Sequence, residues 1–244
     1  IIDNMMNLDL LFTVSKMTGD PKYKEVAIKH ADKTMANHFR SDYTCWHVVS
    51  YNNDGSVERK QTHQGKNDDS SWARGQAWAV YGYTACYRET GDKKYLDFAK
   101  NIADMIMNRV KTEDAIPYWD YDAPVTKETP RDASAAAVTA SAFLEISTML
   151  DDGKVYFDYA EKILKSLSSD NYLAKKGENC GFILMHSTGS LPNGSEIDVP
   201  LNYADYYYLE ALQRYMNLKG IKFTNCNKCC LLYTSPSPRD GATS

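Results

Sequence analysis

Thr18-Gly19-Asp20-Pro21-Lys22-Tyr23 returns 72 residues later as Thr90-Gly91-Asp92-Lys93-Lys94-Tyr95, and Asp151-Asp152-Gly153-Lys154-Val155-Tyr156 is a worn third copy. Each copy combines a stop with a start. Glycine suits the left-handed position just past a helix, the aspartate after it suits the N-cap of the next helix, and Pro21 fits a first helical position. Apolar residues at helical spacing flank every copy, as in Ile2, Met5, Met6, Leu8, Leu11, Phe12 and Val14. A helical hairpin that recurs in this way restricts the chain to a helical repeat.

The periodicity predicts seven helices, at 1–17, 21–39, 71–89, 93–110, 132–150, 154–169 and 200–217. Between hairpins lie long loops, 41–69, 111–131 and 171–199, rich in Trp, His, Asp and Gly. In the first of them, Trp46–Tyr51 followed by Asn52-Asn53-Asp54-Gly55 reads as a β-hairpin. Short turns at one end and decorated loops at the other imply a ring of hairpins with a site on its loop face. The expected fold class is all-α, an incomplete (α/α)6 toroid with a short β-hairpin insertion. A closed six-hairpin ring needs twelve helices, so residues 1–220 read as a partial domain lacking its N-terminal helices. Residues 221–244 read as a non-native, disordered tail, in which Cys226 and Cys229 have knuckle spacing but no second ligand pair. Outside the tail the cysteines are Cys45, Cys86 and Cys180, which form no disulfide framework.

A formal net charge of −4 argues against nucleic acid or an anionic membrane as partner, and no apolar run approaches a membrane span. The 18 Tyr and 4 Trp suit a carbohydrate cleft. Asp68-Asp69-Ser70-Ser71-Trp72-Ala73-Arg74-Gly75-Gln76-Ala77-Trp78 reads as a capped helix start, with Ser70 or Ser71 as N-cap. Arg74 and Trp78 share one face of its first turns. A guanidinium beside an indole at a helix N-terminus could seat an anionic sugar, or the pair could be a salt-bridged arginine and a core tryptophan.

Several blocks, in order, carry a resemblance. They are Ile2-Asp3-Asn4-Met5-Met6-Asn7, His63-Gln64-Gly65 leading to Ser71–Trp78, Pro117–Asp122, Asp132–Ala136 and Ser195–Tyr207. Together they resemble glycoside hydrolase family 88, the unsaturated glucuronyl hydrolases, over residues 1 to about 217. The resemblance implies hydrolysis of oligosaccharides left by polysaccharide lyases, which end in a 4,5-unsaturated uronic acid. In this family one aspartate protonates C4 and activates the water that attacks C5. The hemiketal so formed opens, and the aglycone leaves without attack at C1.

By the same resemblance the catalytic aspartate is Asp3. His47 and Gln64 are implied as hydrogen-bonding residues, Arg74 as carboxylate recognition and Trp78 as a stacking platform, with His63 as a further candidate beside Gln64. Ser187 and Ser190 match a loop through which some members hold a substrate sulfate with serines and a lysine. No lysine lies between Lys176 and Lys219 here, which departs from that pattern. Trp119-Asp120-Tyr121-Asp122 reads as a structural tie between a loop and helix ends, and Asp198 before Pro200 as an N-cap.

The expected partner is an unsaturated oligosaccharide, in a bacterial cytoplasm or periplasm. Protonation and hydration need neither metal nor organic cofactor, so none is expected. Because the family has a second important aspartate upstream of the Asp3 block, residues 1–220 alone are expected to be inactive. Other readings are an unsaturated rhamnogalacturonyl hydrolase, a non-catalytic glycan-binding toroid, and an epimerase using histidines among His30, His38, His47, His63 and His186.

Overall fold

A computed structural model describes residues 1–222. The expectations for the tail from residue 223 on, including the Cys226 and Cys229 spacing, lie outside the described residues. Seven α-helices occur among the described residues: α1 Asn4–Thr18, α2 Pro21–Asn37, α3 Ala73–Thr90, α4 Lys93–Arg109, α5 Ala133–Ile146, α6 Lys154–Leu167 and α7 Asn202–Leu218. Strands β1 Val48–Tyr51 and β2 Val57–Gln61 pair antiparallel, Val48 opposite Gln61. None of these helices is long and apolar enough to cross a membrane.

The helices form two rows. The inner row runs α1, α3, α5, α7, each packed on the next, and α2, α4 and α6 pack outside α1, α3 and α5. The sequence explains the division. α3 is buried without a break from Ala73 to Cys86, and α5 almost throughout. Helices enclosed on all sides approach closely only where side chains are small, as along Ala133-Ser134-Ala135-Ala136-Ala137. Gly82 is the sharpest case, because a Cβ there would meet the Met5 Cβ at 2.5 Å. α4 instead buries one stripe, Tyr95, Leu96, Ala99, Ile102, Ala103 and Ile106, as an outer helix should.

The first two hairpin turns form as their sequences dictate. Gly19 and Gly91 cap α1 and α3 at φ 71° and 70°, and the carboxylates of Asp20 and Asp92 accept from the backbone N–H of Lys22 and Lys94 at 3.0 and 3.1 Å. The third turn differs. Gly153 is the N-cap of α6 at φ −58°, and glycine is required there by proximity, since a Cβ would lie 1.9 Å from the Ser147 carbonyl oxygen.

Two expected caps are also replaced. Trp72, in place of Ser70 or Ser71, occupies the N-cap of α3 and makes no side-chain cap bond. The Ser70 hydroxyl is taken instead by buried Asp120, at 2.7 Å, and the Ser71 N–H donates to Asp122 Oδ2 at 2.9 Å. With the backbone bonds Ala73 N to Trp119 O and Tyr121 N to Ser71 O, the 119–122 segment ties the second long connection to the start of α3, the structural role read for it. At α7 the N-cap is Leu201, because Asp198 sits at φ 55° and accepts from His186 Nδ1 at 2.6 Å.

Candidate active site

Asp3 is the N-cap of α1, yet its backbone is already helical at φ −54°, ψ −31°. A capping side chain folds back onto the first turn only from an extended backbone, so the Asp3 carboxylate makes no cap bond and projects away. Its Oδ2 is buried, lacks a hydrogen-bond partner and faces His47 Nε2 at 3.4 Å. The same histidine holds the backbone, its carbonyl accepting from the Ile2 N–H at 2.9 Å.

The His47 ring is fixed from the other side. Its Nδ1 accepts from the backbone N–H groups of His63 and Gln64, at 3.2 and 3.3 Å, and its face stacks on Trp72 with centroids 4.4 Å apart. Backbone amides can only donate, so Nδ1 carries no proton and the ring proton sits on Nε2, the nitrogen on the Asp3 side. The loop after β2 thus sets a tautomer. Exposed His63 contributes its backbone to this arrangement, with its ring 6.0 Å from that of His47.

Arg74, on the first turn of α3, lies in a second, drier corner. It is 2 % exposed. Its Nη1 meets Asp132 Oδ2 at 2.7 Å and the Thr188 carbonyl at 2.7 Å, and its Nη2 donates to the Gly189 carbonyl at 2.8 Å. Trp72 and Tyr203 lie 4.6 and 5.4 Å from the guanidinium carbon. Asp132 caps α5 with its other oxygen, accepting from the N–H groups of Ser134 and Ala135. Gln64 Nε2 reaches the same Gly189 carbonyl at 2.9 Å, so Gln64 and Arg74 converge on one loop atom.

The remaining expected residues surround these corners. Trp78 is buried beneath Tyr207, with ring centroids 5.2 Å apart, and Tyr203, at 6.4 Å. Ser187 is buried, its Oγ without a partner and its backbone paired with Val199. Ser190 is buried and accepts from Asn193 Nδ2 at 2.7 Å. Between them Gly189 is overlain by Glu196, whose Oε2 would stand 2.1 Å from a Cβ there.

Tyr203 was not among the expected site residues. Burial pushes its phenol up to about 12, with Asp132, Glu196 and Asp3 adding to the rise and Arg74 opposing it. The residue therefore remains a neutral hydroxyl donor at ordinary pH. Its place on the first turn of α7, inside the Ser195–Tyr207 block, was the available signal.

A family model described as glycosyl hydrolase family 47 matches residues 75–223. That match covers the later helical hairpins and begins just after Arg74, outside Asp3, His47, Gln64 and Arg74 themselves. The unsaturated glucuronyl hydrolase of Formosa agariphila is 48 % identical over 220 residues, covering 89 % of this chain and 55 % of that protein. A crystal structure of an unsaturated glucuronyl hydrolase specific for heparin superposes with TM-score 0.89 at 55 % identity, covering 91 % of this chain and 60 % of that one. A variant of the Streptococcus agalactiae unsaturated glucuronyl hydrolase complexed with dGlcA-GalNAc6S superposes with TM-score 0.80 at 33 % identity, over 89 % of this chain and 59 % of that one. The chain thus spans little more than half the length of the relatives it matches. By that family model the chain belongs to the glycosyl hydrolases, and its sequence and fold are similar to those of the unsaturated glucuronyl hydrolases.

Proposed function

We propose that the protein carrying this chain releases 4,5-unsaturated uronic acid from the non-reducing end of lyase-generated glycosaminoglycan oligosaccharides. One observation supports this most strongly: the buried Asp3 Oδ2 has no hydrogen-bond partner and faces a histidine nitrogen whose tautomer is fixed. In the reaction Asp3 delivers a proton to C4 of the vinyl ether, and water then adds to C5 as the carboxylate takes a proton from it. The C5 hemiketal opens to a ketone, leaving a C1 hemiacetal that expels the aglycone. His47 orients the carboxylate through Nε2–H.

The other candidate residues take roles that follow from their surroundings. Gln64 and Arg74 act through Gly189, holding the loop that carries Ser187 and Ser190, because two guanidinium nitrogens of Arg74 are already engaged. Trp78 with Tyr203 and Tyr207 forms an aromatic floor, and His63 serves through its backbone amide.

The test follows an unsaturated disaccharide by two signals at once. Hydration predicts that the near-UV absorbance of the double bond falls in step with aglycone release. Aglycone appearing ahead of the absorbance loss would indicate attack at C1 and contradict the proposal. Binding without any absorbance change would make the protein a lectin.

A further inference from the structure

Asp132 has no part in the proposed reaction, yet it begins a chain of bonds that leads towards Asp3. Its Oδ2 anchors Arg74 Nη1, and Arg74 holds the Thr188 and Gly189 carbonyls. Gln64 holds the same Gly189 carbonyl, the Gln64 N–H holds His47 Nδ1, and His47 Nε2 faces Asp3. The 187–190 segment is one side of a hairpin, its backbone bonded to 195–199 at Ser187–Val199, Gly189–Glu196 and Ser190–Ser195, and two further bonds besides those of Arg74 and Gln64 tie this hairpin to the start of α5. Thr188 Oγ1 donates to the Arg131 carbonyl at 2.9 Å, and the Ala133 N–H donates to the His186 carbonyl at 3.0 Å. Backbone strain opposes this placement, since His186, Glu196 and Asp198 all adopt φ between 53° and 63°. Non-glycine residues in that region hold only where surrounding bonds overdetermine them.

We infer that Asp132 is a positioning residue of the glycan site, fixing through Arg74 the height of the 187–190 loop over the substrate. A guanidinium without this carboxylate would be a buried, uncompensated charge free to reorient, and the two loop carbonyls would lose a directed donor. The inference rests on the proposed activity for its kinetic readout, but its structural readout is independent of that activity.

The test is Asp132→Asn in the protein carrying this chain, which keeps the shape and the cap acceptor while removing the charge. The expected result is a KM for an unsaturated disaccharide raised about tenfold with kcat within about threefold. Amide hydrogen exchange at 187–190 should be accelerated at least about tenfold while the helices stay protected. Unchanged KM and exchange, or a fall in kcat alone, would overturn the inference. Should Asp132→Asn fail to fold, Thr188→Val decides. It removes another anchor of the same loop, and KM raised two- to threefold with faster exchange supports positioning, whereas no change in either refutes it. If the unsubstituted protein does not turn over the disaccharide, the proposed activity fails, and exchange at 187–190 alone judges the role of Asp132.

Discussion

Asp3 and Asp132 are both aspartates at the N-cap of an inner helix, and the structure treats them in opposite ways. Asp132 has an extended backbone at φ −127°, caps α5 with one oxygen and binds Arg74 with the other. Asp3 has a helical backbone, caps nothing and keeps a buried oxygen without a partner. A saturated carboxylate holds its neighbours in place, whereas one short of partners is free to exchange a proton with something that enters. On the proposed activity, the site divides into a holding corner, built on Arg74 and Asp132, and a reacting corner, built on Asp3 and His47.

Three perturbations probe that division. The largest effect belongs to the holding corner. Asp132→Ala strands the Arg74 charge in a dry pocket and should cost about 3–5 kcal/mol in denaturant unfolding. A loss under about 1 kcal/mol would mean that the corner is not a buried ion pair in solution.

Acid should act on the reacting corner. His38 ends α2 and grips the strand leading to His47, with its Nδ1 on the Trp46 carbonyl at 3.1 Å and its own carbonyl accepting from the Trp46 N–H at 2.8 Å. Burial lowers its pKa from 6.5 to about 4. The unfolded chain then binds a proton that the folded chain refuses, so stability is present above pH 6.5 and is lost as pH falls towards 4. The loss amounts to about 3 kcal/mol over that window. Replacing His38 with Gln should flatten this part of the stability–pH curve, and an unaltered slope would contradict the assignment.

Ser187→Ala should do least. The hydroxyl is buried without a partner, so its removal should change stability by no more than about 0.5 kcal/mol. A loss above about 1 kcal/mol would show that the hydroxyl has a partner in solution.

The parts of this molecule that could be read from sequence are those decided within a few residues. Gly19 with Asp20 and Gly91 with Asp92 are complete local instructions. The β-hairpin after Trp46 was legible for the same reason. What failed depended on remote groups. Ser70 looked like a cap, but Asp120, fifty residues on, claims its hydroxyl. Asp198 preceded a proline as a cap should, but its backbone turned left-handed towards His186. Arg74 was legible as important, while its engagement by Asp132 and two loop carbonyls was not, because those partners lie 58 to 115 residues away. Asp3 and His47 were named singly, and their facing geometry came only with the fold.

The most direct test of the central claim compares Asp3→Asn with His47→Ala by the disappearance of the near-UV absorbance of an unsaturated disaccharide. If Asp3 moves the proton and His47 only orients it, Asp3→Asn should lower kcat by about a thousandfold or more. His47→Ala should lower it at least tenfold less. Asp3→Asn retaining activity while His47→Ala abolishes it would place the chemistry on histidine and contradict the account.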